Sequence, residues 1–530
     1  MGPSDGRCSR HGRRRTGTGR GLNGASPYTS TGLTVVKVPD GGEQAAWEQV
    51  RGHSEGRLTD WGIKILGSGL KGYVKSILIE PRYVCRDYRD LFSSFYSRKF
   101  LPRSSFCSRL HFFAEPDLTV DGAVFEPDRH AKSYIGYSVI QPVRDRCIGR
   151  TMIDPEKVGK PKDVFYCLRT ATKVHINGVE YAVQGYPFIS QSKEAMVCSH
   201  AALWGVCRYL SERCPAYGEV RPYGLIELTG RSSGRRVPYR GMTYEDYCEI
   251  LAAFGCHPVA LFPRETNQTD WTKDRETFFD IYSYVESGFP VLASIGGHVT
   301  ALIGHTVNKD LGLHTVDKSR YHNSFSLVKQ FIAVDDNFFP YQLLGYSSDR
   351  ENYAKAFKRS TYIPSLESII AAVVPLPEKA FLTPQKARKL AYTYFDRASA
   401  KIDDVLKELN CTGEPLVARL FLTSTVSFKK RKRRCAIGKL GEGPDALSLL
   451  PVDLNLPHFV WVMELSPLSL HNSGLCVGEV VLDASASEDE CEYVYLRIGK
   501  TVLRGAQEGV FAPGHIRFAQ YTHNLGERDA

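Results

Sequence analysis

The spacing of apolar positions changes several times along the chain, and the sharpest change falls at residue 198. The polar stretch Gln191-Ser-Lys-Glu-Ala-Met-Val gives way there to Ala201, Ala202, Val206, Tyr209 and Leu210, three to four residues apart. That period predicts a helix opening at Cys198 with one buried face. Further on, Thr243 caps a helical pattern over Tyr244–Phe254 that Gly255 stops, and Arg275–Glu286 forms another ahead of Gly288. Pro290–Ser294 and His298–Ile303 read as strands around a glycine pair, and Phe331–Val334 as a strand ending in Asp335, Asp336 and Asn337.

The flanks have their own patterns. Upstream, strands are expected at Tyr73–Ile79, Ser133–Pro142, Cys147–Ile153, Val164–Leu168 and Val174–Gln184, the last turning at Asn177-Gly178. Tyr88–Phe100 reads as an aromatic-rich helix and Thr229–Arg240 as a mobile loop over a cleft. Downstream, Leu366–Val374 reads as a strand ended by Pro375 and Pro377. Thr383–Leu409 reads as one long amphipathic helix, with Thr383 as its cap and Pro384 in its first turn. Strands at Leu416–Phe428, His458–Leu465, Val477–Leu482 and Val494–Leu503 follow; the basic run Lys429–Arg434 between them resembles a nuclear-localisation or nucleic-acid patch but reads better as a solvated hairpin tip. Four regions result: a disordered basic tail over 1–55, a mixed α/β region over 56–184, a core over 185–378 and an α+β domain over 379–530.

Composition narrows the class. The chain has 530 residues, enough for a sizeable core, and no apolar run approaches the ~20 residues needed to cross a bilayer. Six Arg against one Asp in residues 1–20 supply half of the net charge of +10, so the rest does not imply nucleic-acid binding. The basic N-terminus lacks the apolar segment of a secretory signal. Fourteen cysteines stand singly without a Cys-x-x-Cys pair, the pattern of reduced residues in a cytoplasmic protein rather than of a zinc site or a disulfide framework.

The chemistry gathers at three element ends. Cys198 in the first turn of a helix would have its thiol pKa lowered by the dipole. His298 opens a strand and Asp335 ends another, which makes Cys, His and Asp a plausible nucleophile, base and orienting group. Gln191, seven residues upstream, can aim its amide at whatever the sulfur attacks. A buried structural cysteine is the commoner fate of a lone thiol; Gln191 and Gly297-His298 together favour the nucleophile. Asp336 and Asn337 compete with Asp335 for the imidazole, and strand alternation admits only one inward carboxylate, taken as Asp335. His200, His305 and Cys207 read as core or surface residues.

With these residues in view, positions 185–345 resemble a papain-like cysteine peptidase, closest to the branch of bacteriocin-leader-processing peptidases. The matching residues are Gln191, Cys198, Gly297-His298 and Asp335; Ser199 stands where relatives usually carry glycine and Asp336 where they often carry proline. The resemblance implies an α+β, papain-like fold, with a Cys-bearing helix packed on an antiparallel sheet. It also implies a thiol peptidase acting on a peptide or protein substrate through an acyl-enzyme, with no metal or cofactor. An acyltransferase or amidase on the same triad, or a papain-fold binding module without catalysis, are the alternative readings.

Overall fold

The computed structural model describes residues 32–159, 164–228, 241–262, 275–295, 297–307, 309, 320–345, 365–436, 445–487, 493–504, 507–509 and 514–521. The architecture is mixed α+β, with sheets that are antiparallel except at one edge. Residues 1–31 of the expected basic tail, and the expected loop over Thr229–Arg240, lie outside the described residues.

The first sheet takes β1 (Thr34–Lys37), β2 (Ser76–Tyr83), β3 (Cys107–Phe113), β4 (Tyr134–Ile140) and β5 (Ile148–Ile153) in sequence order. β3 and β4 are buried along their whole length. The Glu43–His53 helix buries Ala46, Trp47 and Val50 nearby. Residues 34–53 therefore belong to the folded chain and not to a tail. Their few apolar positions recur once per turn, a signal that low average hydrophobicity conceals. Thr59 caps the Asp60–Gly69 helix by accepting from the Gly62 N–H. The aromatic segment expected as one helix to Phe100 ends earlier, at Ser94, followed by a short 3-10 turn.

β6 (Val164–Cys167) is followed by the hairpin of β7 (Thr170–Ile176) and β8 (Val179–Gly185). It turns at Asn177 (φ 48°) and Gly178 (φ 89°), the left-handed pair that a two-residue hairpin requires. The central sheet is built from β9 (His257–Leu261), β10 (Val291–Ile295), β11 (His298–Val307), β13 (Val328–Val334), β14 (Gln342–Leu344) and β15 (Ile369–Leu376). Their order is β14-β13-β11-β10-β15-β9, and β6 joins the far half of β11. Only glycine fits at 304 there, because a Cβ would stand 2.1 Å from the Tyr166 carbonyl. β15 runs through Pro375, which lies opposite Pro258 of the edge strand β9, so the proline does not end it as expected. β12 (Tyr321–Asn323) leaves this sheet and lies parallel to the first strand of the last one.

That last sheet has the order β12-β16-β17-β19-β20-β21-β22, from β16 (Leu416–Ser424), β17 (Phe459–Pro467), β19 (Gly478–Asp483), β20 (Tyr493–Ile498), β21 (Thr501–Arg504) and β22 (Gln507–Gly509). β18 (Leu475–Cys476) pairs separately with β23 (Phe518–Ala519). A row of buried charges crosses the sheet: Arg419 faces Glu464, Glu464 faces Glu479, and Glu479 faces Arg497 on successive strands. Lys432 binds Glu479 (2.7 Å), Tyr495 donates to Glu479 (2.6 Å), Arg497 pairs with Asp445 (3.1 Å), and Arg419 bonds Glu286 (2.5 Å) of the Arg275–Glu286 helix.

Two expectations fail in this part. Thr383–Leu409 forms two helices, Pro384–Arg397 and Ser399–Glu408, which bend at Ala398 to follow the sheet from β19 to β20. The basic run lies on the Thr425–Ala436 helix and not on a hairpin tip. Lys and Arg are good helix formers, and the i,i+4 pair Phe428 and Lys432 is buried, Lys432 meeting Glu479. Lys430 and Arg433 face solvent. No helix among the described residues is long and apolar enough to cross a membrane.

Candidate active site

Cys198 is the first residue of the Cys198–Arg213 helix. A helix's first turn carries N–H groups without helical acceptors and the positive dipole end, both favourable to a thiolate. The Val197 N–H donates to His200 Nδ1 (3.3 Å), so His200 helps to cap the helix. Burial lowers the His200 pKa to about 4, which keeps the ring neutral. The helix is buried on nearly every side, from Ser199 to Leu210, rather than along the single face its spacing predicts. It threads between the β11 side of the central sheet and the loop at Pro187, and Gly205 lies close beneath the Pro187 carbonyl.

His298 opens β11 directly after Gly297, whose φ of 85° makes the turn from β10. The end of β13 is pinned to β11 by the Thr300 hydroxyl, which donates to the Val334 carbonyl (2.9 Å). Asp335, Asp336 and Asn337 follow in the turn. His298 Nε2 lies 2.9 Å from Asp335 Oδ1 and 3.7 Å from Asp336 Oδ1. The Cys198 side chain also hydrogen-bonds the imidazole, and Asn337 Nδ2 lies 3.2 Å from Nε2. Burial is the largest influence on His298 and opposes its charge. The hydrogen bonds to Asp335 and Cys198 and the two carboxylate charges outweigh it and raise the pKa to about 10.

Asp335 Oδ1 also accepts from the Asn337 backbone N–H (2.9 Å) and from Asn337 Nδ2 (3.0 Å). Strand alternation does not choose between the two carboxylates, because both lie past the last strand residue, Val334, and both are buried. Distance separates them. Burial, then the Asp335 charge, raises the Asp336 pKa to about 6, opposed by His298, by Arg146 and by the Gln191 N–H, which donates to Asp336 Oδ2 (3.3 Å). Gln191 thus lies in a loop tied to the carboxylate turn, its side chain half-buried. Ser192 accepts from the Ala195 and Met196 N–H groups and folds this loop toward Cys198.

The other candidates lie elsewhere. His305, at the far end of β11, donates its Nε2–H to the Glu286 carboxylate (2.6 Å) in a buried pair, and Cys207 is buried mid-helix, where burial pushes its thiol up. None of the twelve described cysteines forms a disulfide with another. His298, Asp335 and Asp336 bring ligand-type atoms within 4.8 Å of one another, a set whose donors suit a divalent cation. A guanidinium, that of Arg146 at 3.5 Å from Asp336, already supplies positive charge there. A small cavity of about 10 Å³, room for little more than a water molecule, adjoins the site between the loop at Tyr186–Ile189, the Cys198 helix and Val334, with Asp336 in its wall.

Two neighbours escape sequence reasoning. Arg146 comes from the turn between β4 and β5, 191 positions from its partner Asn337, and no local pattern marks it. Tyr247 occupies an ordinary buried helix position, yet its hydroxyl bonds Ser199 next to Cys198. Comparison of the chain with protein-family models, with curated proteins and with solved structures gives no match.

Proposed function

We propose that this chain is a cysteine hydrolase of papain-like type that cleaves an amide bond in a peptide or protein. The observation that carries the reading is the His298 imidazole, bonded to Cys198 at a helix N-terminus and to buried Asp335. In this reading His298 takes the Cys198 proton to give a thiolate–imidazolium pair. The thiolate attacks the carbonyl carbon, and the oxyanion is held by the Cys198 N–H with the Gln191 amide. The imidazolium then protonates the leaving amine, and water, deprotonated by His298, releases the acyl group and restores the thiol.

The test is the rate of iodoacetamide alkylation at Cys198 from pH 4 to 9. Asp335 and the thiol hold the His298 imidazole charged against its burial, and a thiolate ion-paired with that imidazolium alkylates faster than a neutral thiol. Wild type is expected to label fast at pH 5–6 and His298→Ala only near pH 8. Equal slow labelling of both would overturn the reading. Product analysis with an added amine then distinguishes hydrolysis from acyl transfer.

A further inference from the structure

We propose that Arg146, supplied by the N-terminal sheet, is a positioning residue of the Cys198–His298–Asp335 site, acting by holding the Asn337 amide and offsetting Asp336. The proposal rests on the cysteine-hydrolase reading above. The turn that carries Arg146 is fixed on two sides. The Thr59 hydroxyl, at the cap of the Asp60–Gly69 helix, donates to the Asp145 carbonyl, and the Ser190 hydroxyl, in the approach to Cys198, donates to the Arg146 carbonyl (3.2 Å). Lys193 Nζ bonds Asp145 Oδ2 (2.8 Å) from the same approach. The guanidinium lies over the Trp61 ring, 5.2 Å from its centroid, which settles its direction.

From this position Nη1 of Arg146 donates to Asn337 Oδ1 and stands 3.5 Å from Asp336 Oδ2. The first contact decides how the Asn337 amide faces. With Oδ1 committed to a cation, Nδ2 turns to Asp335 Oδ1 at 3.0 Å. Nδ2 also lies 3.2 Å from His298 Nε2; the reverse orientation would offer that N–H an acceptor but would set an amide oxygen against a carboxylate oxygen and an NH2 group against a guanidinium, two unfavourable contacts for one gained. Asp335, supported by Asn337, is then the acceptor for His298 Nε2–H. The second contact neutralises a buried carboxylate that otherwise competes for the same Nε2 from 3.7 Å. Freed of Arg146, either group can draw the imidazole away from Cys198.

The experiment measures iodoacetamide labelling of Cys198 at pH 6 in full-length wild type, Arg146→Met, Arg146→Lys, Asn337→Ala and His298→Ala, with thermal midpoints for each. Arg146→Met is expected to label roughly tenfold more slowly, with most of the rate recovered by Arg146→Lys or by millimolar guanidinium ion, which restore the cation. Asn337→Ala should slow labelling to a similar extent, and the double variant should be no slower than either. Wild-type labelling in Arg146→Met beside slow His298→Ala would overturn the positioning role and leave the hydrolase reading standing. Fast labelling in His298→Ala would overturn that reading itself. Slow labelling that neither lysine nor guanidinium restores would show a merely structural arginine and also overturn the proposal. If Arg146→Met does not fold, Asn337→Ala reports the same contact from its other side, and an unchanged rate there overturns it.

Discussion

Asp335 is gripped at one oxygen by the imidazole and by both nitrogens of Asn337, whereas Asp336 meets a backbone N–H and a guanidinium. The two neighbours should therefore respond differently to loss of charge. Asp335→Asn is expected to slow Cys198 alkylation near neutral pH by at least about 10²-fold, because an amide favours the wrong tautomer of His298. Asp336→Asn should cost less than about tenfold, since the nearer carboxylate remains. Stopped-flow alkylation of both variants decides between the two assignments. Cys198, His298 and Asp335 were legible in the sequence because each sits at an end of an apolar element, where period and chemistry change together. The partnership of Arg146 with Asn337 was not, because nothing local records a contact made across two sheets.

At the scale of elements, the Arg275–Glu286 helix is fastened to β11 and β16 through Glu286, which bonds His305 (2.6 Å) and Arg419 (2.5 Å). Burial opposes the Glu286 charge, but Arg419 and His305 win and lower its pKa to about 2. A lowered carboxyl pKa stabilises the fold above the ordinary range near 4.5 and loses that contribution as pH falls toward 2. Wild type should therefore lose urea resistance between pH 4.5 and 2, and Glu286→Gln should lose less over the same interval, while being weaker at pH 7 by about 3–5 kcal/mol because Arg419 is left underpaired. Urea midpoints at pH 7 and pH 3 check both statements. Period alone located this helix and the strands around it. It did not locate the bend at Ala398 or the helical state of the basic run, because both depend on the sheet surface beneath them. Lys432 reads as a solvent residue until Glu479 is seen opposite.

In the molecule as a whole, the N-terminal sheet and the carboxylate turn are interlocked. The Phe339 ring lies against Gly69, and the Tyr341 hydroxyl donates to the Ile153 carbonyl (2.6 Å) while accepting from the Tyr186 N–H (3.0 Å). A Cβ at 69 would stand 2.0 Å from that ring. Gly69→Ala is thus expected to displace Phe339 and slow Cys198 alkylation severalfold, and Gly69→Ala with Phe339→Leu should recover part of it; an unaffected single variant would show that the turn is held without this contact. The linear pattern divided the chain into successive regions and missed this interlock, since β6, β12 and Tyr341 each leave their own segment to join another. The charge row across the last sheet has a further consequence, for the way that sheet assembles. Sliding β19 by two residues along β17 would set Glu479 opposite Ser466 and carry it away from Lys432, the cation that meets it from the Thr425–Ala436 helix. An unmatched buried charge costs several kcal/mol, whereas a slipped pairing of valines and leucines alone would cost little. The row therefore proofreads strand alignment: it penalises the misassembled sheet more than it strengthens the correct one.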